Sequence, residues 1–548
     1  LHNGLIGIRS WWVVLIGLLM ALPVLVVLGF VLQPFNQNWQ HLYDNLLGEY
    51  ISNSLILMLG VTVGVLSMGI ITAWLTSTCE FPGRRLLSWS LLLPLAIPAY
   101  IIAYTYTGVL DFAGPVQSQL REWFGWRYGQ YWFPEIRSIG GAVAMLSLVL
   151  YPYVYMMARA AFLEQSVSVL EASRTLGNTP FQGFMRVALP LARPAIITGL
   201  SLALMETLAD YGTVQYFGVT TFTTGIFRTW YGLDDSVSAA QLASLLLSFV
   251  AILILLERYS RRKARFHSTS NKEQRGQRYT LKGWPAFWAT LSCSLPVIFG
   301  FLIPASQLLY WTLTTAQHTF TSDFVVLTTN SVMLAAIAAV VAVCFALLLS
   351  YAKRLLGTPM VKGSVAVASM GYAVPGTVIA VGVMLPLAWI DHTIDQWLTE
   401  YFGISSGLLL SGTLFALIFA YTVRFLSVSI QAVDAGLGKI KPSMDDAGRS
   451  LGLSPFGVLR KIHLPIMKGT VLTALLLVFV DVLKELPATL ILRPFNFNTL
   501  AVRAYEMASD ERLADAGAPS LMIVMAGIIP VILLSKAIAK ARPRGAAE

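Results

Sequence analysis

EASRTLGNTPFQGFMRVALP, residues 171–190, returns in altered form as DAGRSLGLSPFGVLRKIHLP, residues 446–465. Identity is kept in one register at Ala172/Ala447, Arg174/Arg449, Leu176/Leu451, Gly177/Gly452, Pro180/Pro455, Phe181/Phe456, Leu189/Leu464 and Pro190/Pro465. A polar segment duplicated inside an apolar chain implies two matching halves that each present the same surface outside a membrane. Thr179-Pro180 and Ser454-Pro455 each put a hydroxyl N-cap directly before a proline at the first helical position, a strong start signal for a short helix. Gly177 and Gly452 stand just ahead, where a preceding helix would end in a left-handed turn that glycine adopts at little cost. The segment therefore reads as helix, glycine turn, helix, with Pro190 and Pro465 marking where the short helix gives way to the next apolar run. Glu171 with Arg174, and Asp446 with Arg449, have the i,i+3 spacing of a local pair, but such a pair contributes only ~0.2–0.5 kcal/mol and does not account for the motif.

The surroundings of the repeat are those of a polytopic membrane protein. Hydrophobic residues make up 56% of the 548 and charged residues 12%, and the mean hydropathy is +0.68, far above a soluble domain. The net charge of +10 sits in short clusters between apolar runs, which reads as a topology signal rather than a nucleic-acid surface. A helix needs roughly 20 apolar residues to cross the hydrocarbon core. About twelve stretches qualify, near 11–32, 53–75, 87–110, 139–162, 193–218, 237–257, 285–313, 329–352, 364–390, 407–433, 468–492 and 517–538. The first lacks a small-residue cleavage site and reads as a retained helix. Arg84 and Arg85, the cluster Arg258 to Arg265, Lys353 with Arg354, and the tail from Lys536 to Arg544 share one side. The positive-inside rule makes that side, and both termini, cytoplasmic. Cys79, Cys293 and Cys344 and the six scattered histidines show no ligand spacing, so neither a disulfide framework nor a bound metal is expected.

Similarity between the halves runs well past the motif. Asn53-Ser54 matches Asn330-Ser331, Ala96-Ile97-Pro98 matches Ala373-Val374-Pro375, and Phe227-Arg228 falls on Val502-Arg503. The chain divides into a first unit, 1–260, a basic linker, 261–284, suited to anionic lipid, and a second unit, 285–548. An even number of spans separates the motif copies, so the expected architecture is all-α, two homologous six-helix units in a parallel repeat with a pseudo-two-fold axis along the membrane normal.

Acids inside apolar spans are costly and point to function. Glu206 and Asp210 are four apart, and the repeat places them on Asp481 and Glu485, again four apart, which on a continuous helix is one face. Together with Tyr211 they are candidates for lining a path between the halves, and carboxylate oxygens suit hard cations. The alternative is that they hold helices together by hydrogen bonds. Pro98 and Pro375 break matching spans and mark either a gate or a packing kink. Arg228 and Arg503, equivalent in the repeat and on the outer side, suit either docking of an acidic partner or anchoring at the headgroups.

The Glu-Ala-Ser start, the glycine six residues on and the proline-started helix ending in Leu-Pro resemble the EAA loop of binding-protein-dependent ABC importer permeases, although the second copy has Asp446-Ala447-Gly448. The resemblance implies the type I permease fold and assigns Glu171, Ala172, Arg174, Gly177, Pro180, Asp446, Ala447, Arg449, Gly452 and Pro455 to docking on two copies of an ATPase subunit. The chain has no GxxxxGK[ST] phosphate loop, so ATP and its Mg belong to that partner, and this chain is expected to be no enzyme and to bind no cofactor itself. The runs 206–232 and 483–513 are similar to those of fused bacterial ferric-iron permeases. That implies an inner-membrane permease moving Fe3+ from a periplasmic ferric-binding protein by alternating access. A thiamine or phosphonate-type permease is the alternative cargo reading, and a secondary transporter the alternative class; the latter would not need two matched docking helices.

Overall fold

The computed structural model describes residues 2–127, 129–164, 177, 179–262 and 278–540. Nearly all of the regular structure is helical, and among the described residues ten helices are long and apolar enough to cross a membrane. An eleventh span is counted if the pair Arg84–Ala96 and Ala99–Phe124, bent by 93° at its break, is taken as one. A further apolar helix runs Gly517–Lys540. All twelve expected stretches are thus helical, but several are not the uninterrupted rods that hydropathy suggests.

The departures have local causes. Pro98 has no N–H to continue a helix, and it stands at the N-cap of Ala99–Leu110 with φ −58° and ψ 146°. Pro375 does the same for Gly376–Phe402, with φ −54° and ψ 141°. Each follows a short 3-10 turn, Leu93–Ala96 in one half and Gly371–Ala373 in the other. The breaks anticipated at the two prolines are therefore present and matched.

Pro190 and Pro465, by contrast, do not end the helices they follow. The short helix Pro180–Gly183 widens into a π turn over Phe184–Ala188 and continues as Leu189–Ala209. Its repeat does likewise through Pro455–Val458, Leu459–His463 and Leu464–Lys484. A proline leaves the carbonyl four residues back without its usual donor, and the wider turn just before it re-registers the ladder. The proline-started helix and the next span are one rod, Phe181–Ala209 in the first half and Pro455–Lys484 in the second.

The chain folds as two compact units, and these do not follow the division at 260 and 285 that the repeat suggests. One unit comprises Leu1–Asp44, Gly225–Leu247 and Gln317–Glu506. Its centre is the helix Ser322–Leu356 packed on Leu414–Leu437 and Leu464–Lys484, while the N-terminal helix His2–Gly29 lies on Pro359–Ala368 and Gly376–Phe402. The close approach uses glycine: a Cβ on Gly382 would sit 2.2 Å from the Pro23 carbonyl oxygen, the small-residue packing familiar between membrane helices. The other unit comprises Asn45–Thr224, Ser248–Ala316 and Met507–Glu548. Its centre is Leu47–Thr78 on Ile139–Glu164 and Leu189–Ala209, with Gly517–Lys540 against Leu93–Ala96. Here a Cβ on Gly527 would come within 2.5 Å of the Ala96 carbonyl oxygen. Each unit is thus the core of one sequence half covered by terminal helices of the other.

The end of the linker is also structured. Cys79–Glu80 pairs in parallel with Tyr279–Thr280, and Arg278 Nη1 lies 3.2 Å from Glu80 Oε2. Nothing in the composition of the basic segment points to this pairing.

Candidate functional site

In the second motif the helix Pro442–Ser450 carries Asp446, Ala447 and Arg449 exposed on its surface. Gly452 then turns with φ +80°, and a Cβ placed there would meet nothing within 4 Å. Ser454 caps the following helix, its Oγ accepting from the Gly457 N–H at 3.1 Å, and Pro455 occupies the first helical position. Large apolar side chains stand out around this turn: Leu451 is 84% and Phe456 66% exposed.

In the first copy Glu171, Ala172 and Arg174 lie outside the described residues. The turn at Gly177 has φ +81°, matching Gly452. Thr179 and Gln182 cap reciprocally: the Gln182 N–H donates to Thr179 Oγ1 at 3.3 Å and the Thr179 N–H to Gln182 Oε1 at 3.0 Å, a capping box ahead of the rod begun by Pro180. Phe181 is 71% exposed, as its repeat partner Phe456 is.

The residue that anchors the second motif is one that sequence reading passed over. Asp445, the neighbour of Asp446, points inward and accepts from Arg354 Nε at 2.8 Å through Oδ2, while its Oδ1 lies 2.6 Å from His463 Nε2. Burial favours the neutral acid, but the hydrogen bonds and charges of Arg354 and His463 outweigh it and hold the Asp445 carboxyl below its usual range. Arg354 also donates to the Leu437 carbonyl at 2.6 Å and the Ile440 carbonyl at 2.9 Å. Tyr351 Oη donates to the Pro455 carbonyl at 2.7 Å, and Lys353 Nζ reaches Asp434 at 2.7 Å.

The candidate path acids occupy helix ends, which changes their reading. The rod through Glu206 stops at Ala209, and Asp210 is extended, with ψ 133°. Its carboxylate accepts from the N–H groups of Thr213 and Val214, both at 3.1 Å, and from Thr213 Oγ1 at 2.9 Å. It thereby caps the short helix Gly212–Tyr216, with Tyr211 buried beside it. Glu485 repeats this at the end of Leu464–Lys484, with ψ 126°. It accepts from the N–H groups of Ala488 and Thr489, both at 3.0 Å, and caps Pro487–Leu492. Asp210 and Glu485 therefore do not extend the helical faces of Glu206 and Asp481, because the helix that would align them has already ended. Asp481 pairs with Lys484 at 2.9 Å, and Glu206 is half-buried.

Glu485 has a companion that its counterpart lacks in sequence. Arg424 Nη1 lies 3.6 Å from Glu485 Oε1, both side chains being nearly inaccessible, whereas the repeat places Val149 at the arginine's position. Gly376, directly after the Pro375 break, lies against the same pair, a Cβ there falling 2.1 Å from Arg424 Nη1 and 2.7 Å from Glu485 Oε1. After the other break, Tyr104 hydrogen-bonds Ser520 and Tyr106 donates to the Phe299 carbonyl at 2.6 Å, as packing groups do. Of the two repeat-equivalent arginines, Arg228 is exposed at the start of the π turn Arg228–Gly232 and Arg503 is half-buried on Leu500–Ser509.

Comparison with known proteins agrees with the duplicated loops and matched breaks. The family described as binding-protein-dependent transport system inner membrane component matches residues 66–266. The chain is 27% identical over 538 residues to the Fe(3+)-transport system permease protein FbpB 2 of Haemophilus influenzae, covering 96% of this chain and 97% of that one. It is 27% identical over 511 residues to the ferric transport system permease protein FbpB of Actinobacillus pleuropneumoniae, covering 87% and 70%. A shorter match, 32% over 152 residues, is to the molybdenum transport system permease protein ModB of Escherichia coli, covering 28% of this chain and 63% of that one. The likeness along nearly the whole chain is to transport permeases, in which ATP hydrolysis falls to a separate subunit. The chain is thus similar over residues 66–266 to the binding-protein-dependent inner-membrane transport components, and over nearly its whole length to a permease named for Fe(3+) transport.

Proposed function

We propose that this permease carries ferric iron, delivered by a periplasmic binding protein and driven inward by two copies of a cytoplasmic ATPase through alternating access. The observation that carries the cargo reading is the likeness, across 96% of the chain, to a permease named for Fe(3+) transport. Supporting the ATPase contact are the exposed Phe181 and Phe456, each on a proline-started helix continuous with a span. A push at the docking helix is transmitted along a rod with no loop to absorb it. With both termini cytoplasmic, the basic clusters face inward and the motif copies meet the ATPases on that side. Glu206 and Asp481 are proposed to meet the cargo, and oxygen ligands suit a hard cation. Asp210 and Glu485 act by holding the capped breaks, with Pro98 and Pro375, in position around the path. Arg228 and Arg503 are proposed to meet the binding protein. No cofactor is assigned to this chain.

The test is uptake of radiolabelled Fe3+ and of thiamine by cells with and without this chain. Energy-dependent Fe3+ uptake that follows the chain is expected. Uptake of thiamine alone would reassign the cargo, and uptake unaffected by ATP depletion would overturn the importer mechanism.

A further inference from the structure

The second motif copy is held by a cluster whose residues the first copy lacks in sequence. In the second half, Arg354 sits at the end of the span Ser322–Leu356 and makes three hydrogen bonds of 2.6–2.9 Å, to Leu437, Ile440 and Asp445. Asp445 belongs to the first helix of the motif, and its other oxygen meets His463, which is wholly buried on the second. One hydrogen-bonded cluster therefore ties the span end to both helices that flank the Gly452 turn. Tyr351 reinforces it, binding the Pro455 carbonyl and meeting the His463 ring edge-on at 5.3 Å.

The repeat register leaves Arg354, Asp445 and His463 without counterparts of like chemistry in the first half. Counting from Asn53/Asn330, Arg354 falls on Ser77; counting from the motif, Asp445 falls on Leu170 and His463 on Ala188. Among the described residues, the first half holds its span end through Arg84 and Glu80. Arg84 donates to the Thr76 carbonyl at 3.3 Å and pairs with Glu80 at 2.9 Å, and Glu80 in turn holds Arg278 of the linker. Among the described residues, the second span end is bolted to its motif and the first is tied to the connection between the halves.

We propose that Arg354, Asp445 and His463 are positioning residues that lock the second docking helix to its span, so that the second ATPase contact carries most of the coupling. This rests on the ATP-driven importer reading. A buried, multiply hydrogen-bonded ion pair fixes one geometry more than it adds stability, which is what a part that transmits movement needs.

The experiment uses the full permease reconstituted in proteoliposomes with its ATPase and binding protein, and reads cargo taken up per ATP hydrolysed. Asp445→Asn and Arg354→Gln are expected to lower that ratio about tenfold, the scale of coupling among residues in one network, while the ATPase still co-purifies and hydrolyses ATP. His463→Gln, which keeps an N–H toward Asp445, should retain most of it and cover the case in which a harsher variant does not accumulate, whereas Arg354→Lys, which keeps the charge but not the three-donor fork, should retain only part. Arg278→Gln should leave the ratio within about twofold of the parent, since an exposed pair contributes little. Phe456→Asp should lower it further than Phe181→Asp. Wild-type ratios in both Asp445→Asn and Arg354→Gln, or equal losses from the two phenylalanine variants, would overturn the proposal. If the parent permease takes up cargo without ATP, the importer reading itself fails.

Discussion

Gly177 and Gly452 show how far one residue can be argued from local chemistry alone. Both sit at φ near +80°, and neither has an atom within 4 Å of where a Cβ would project. The whole cost of substitution is therefore backbone strain, about 1–2 kcal/mol for an ordinary L-residue. Gly452→Val should reorient the docking helix and depress uptake severalfold while the permease reaches the membrane at its usual level; Gly452→Asn, tolerated in this conformation, should transport nearly normally. Quantitative immunoblotting beside an uptake assay separates the two, and equal loss in both variants would show that the side chain and not the turn is at fault. These glycines, the hydroxyl caps and Pro455 were legible because a turn announces itself within a few residues. Asp445 was not. It stands beside Asp446 in the same helix, and what distinguishes them is partners 91 and 18 residues away, which no local pattern supplies.

At the scale of elements, the four acids show why a periodic reading needs to know where its helix stops. The i,i+4 pairing of Glu206 with Asp210, and of Asp481 with Glu485, assumed helices that in fact end at Ala209 and Lys484. The second acid of each pair starts the next element. If Asp210 acts as a cap, Asp210→Asn should be tolerated and Asp210→Ala should lower stability by ~0.5–2 kcal/mol, read as the thermal midpoint of the purified permease. Loss of transport in Asp210→Asn at unchanged stability would return it to the path. Glu485→Gln is expected to be harsher, ~3–5 kcal/mol, because it leaves the Arg424 guanidinium buried beside a neutral amide. The Asp445 cluster makes a prediction in pH. Its carboxyl is held below the usual range, so its stabilising contribution is complete above the unfolded value near ~4 and is lost only as pH falls through the lower folded value. The groups facing it are Arg354, His463 and Tyr351, with Arg449 nearby. Thermal stability measured from pH 7 to 5 should show no fall owed to Asp445, and the difference between parent and Asp445→Asn should narrow only below about pH 4. A difference that disappears by pH 6 would show that the carboxylate is not held as the geometry indicates.

For the whole molecule, similarity within the sequence identifies which segments are copies, whereas packing decides which segments touch, and here the two answers diverge. The repeat places the N-terminal helix in the first half, yet it is a part of the unit built around second-half helices, lying on Pro359–Ala368 and Gly376–Phe402. Hydropathy could not foresee this, because a span covered by protein and one covered by lipid are almost equally apolar; the signal is confined to small residues such as Gly382 and Gly17, which meet Pro23 and Ser364. The exchange has a mechanical consequence: neither sequence half has a complete cover of its own. Removing residues 1–44 should therefore expose the second half and leave the centre formed by Leu47–Thr78 and Ile139–Glu164 protected. Limited proteolysis of the detergent-solubilised protein, with the fragments identified by mass, should show new cleavage within 357–403 and little change within 47–164. Gly382→Leu should produce a milder form of the same pattern by pushing the helix off, since its side chain would collide with the Pro23 backbone. New cleavage concentrated in the first half instead would mean that the N-terminal helix covers its own sequence half and that the exchange is wrong.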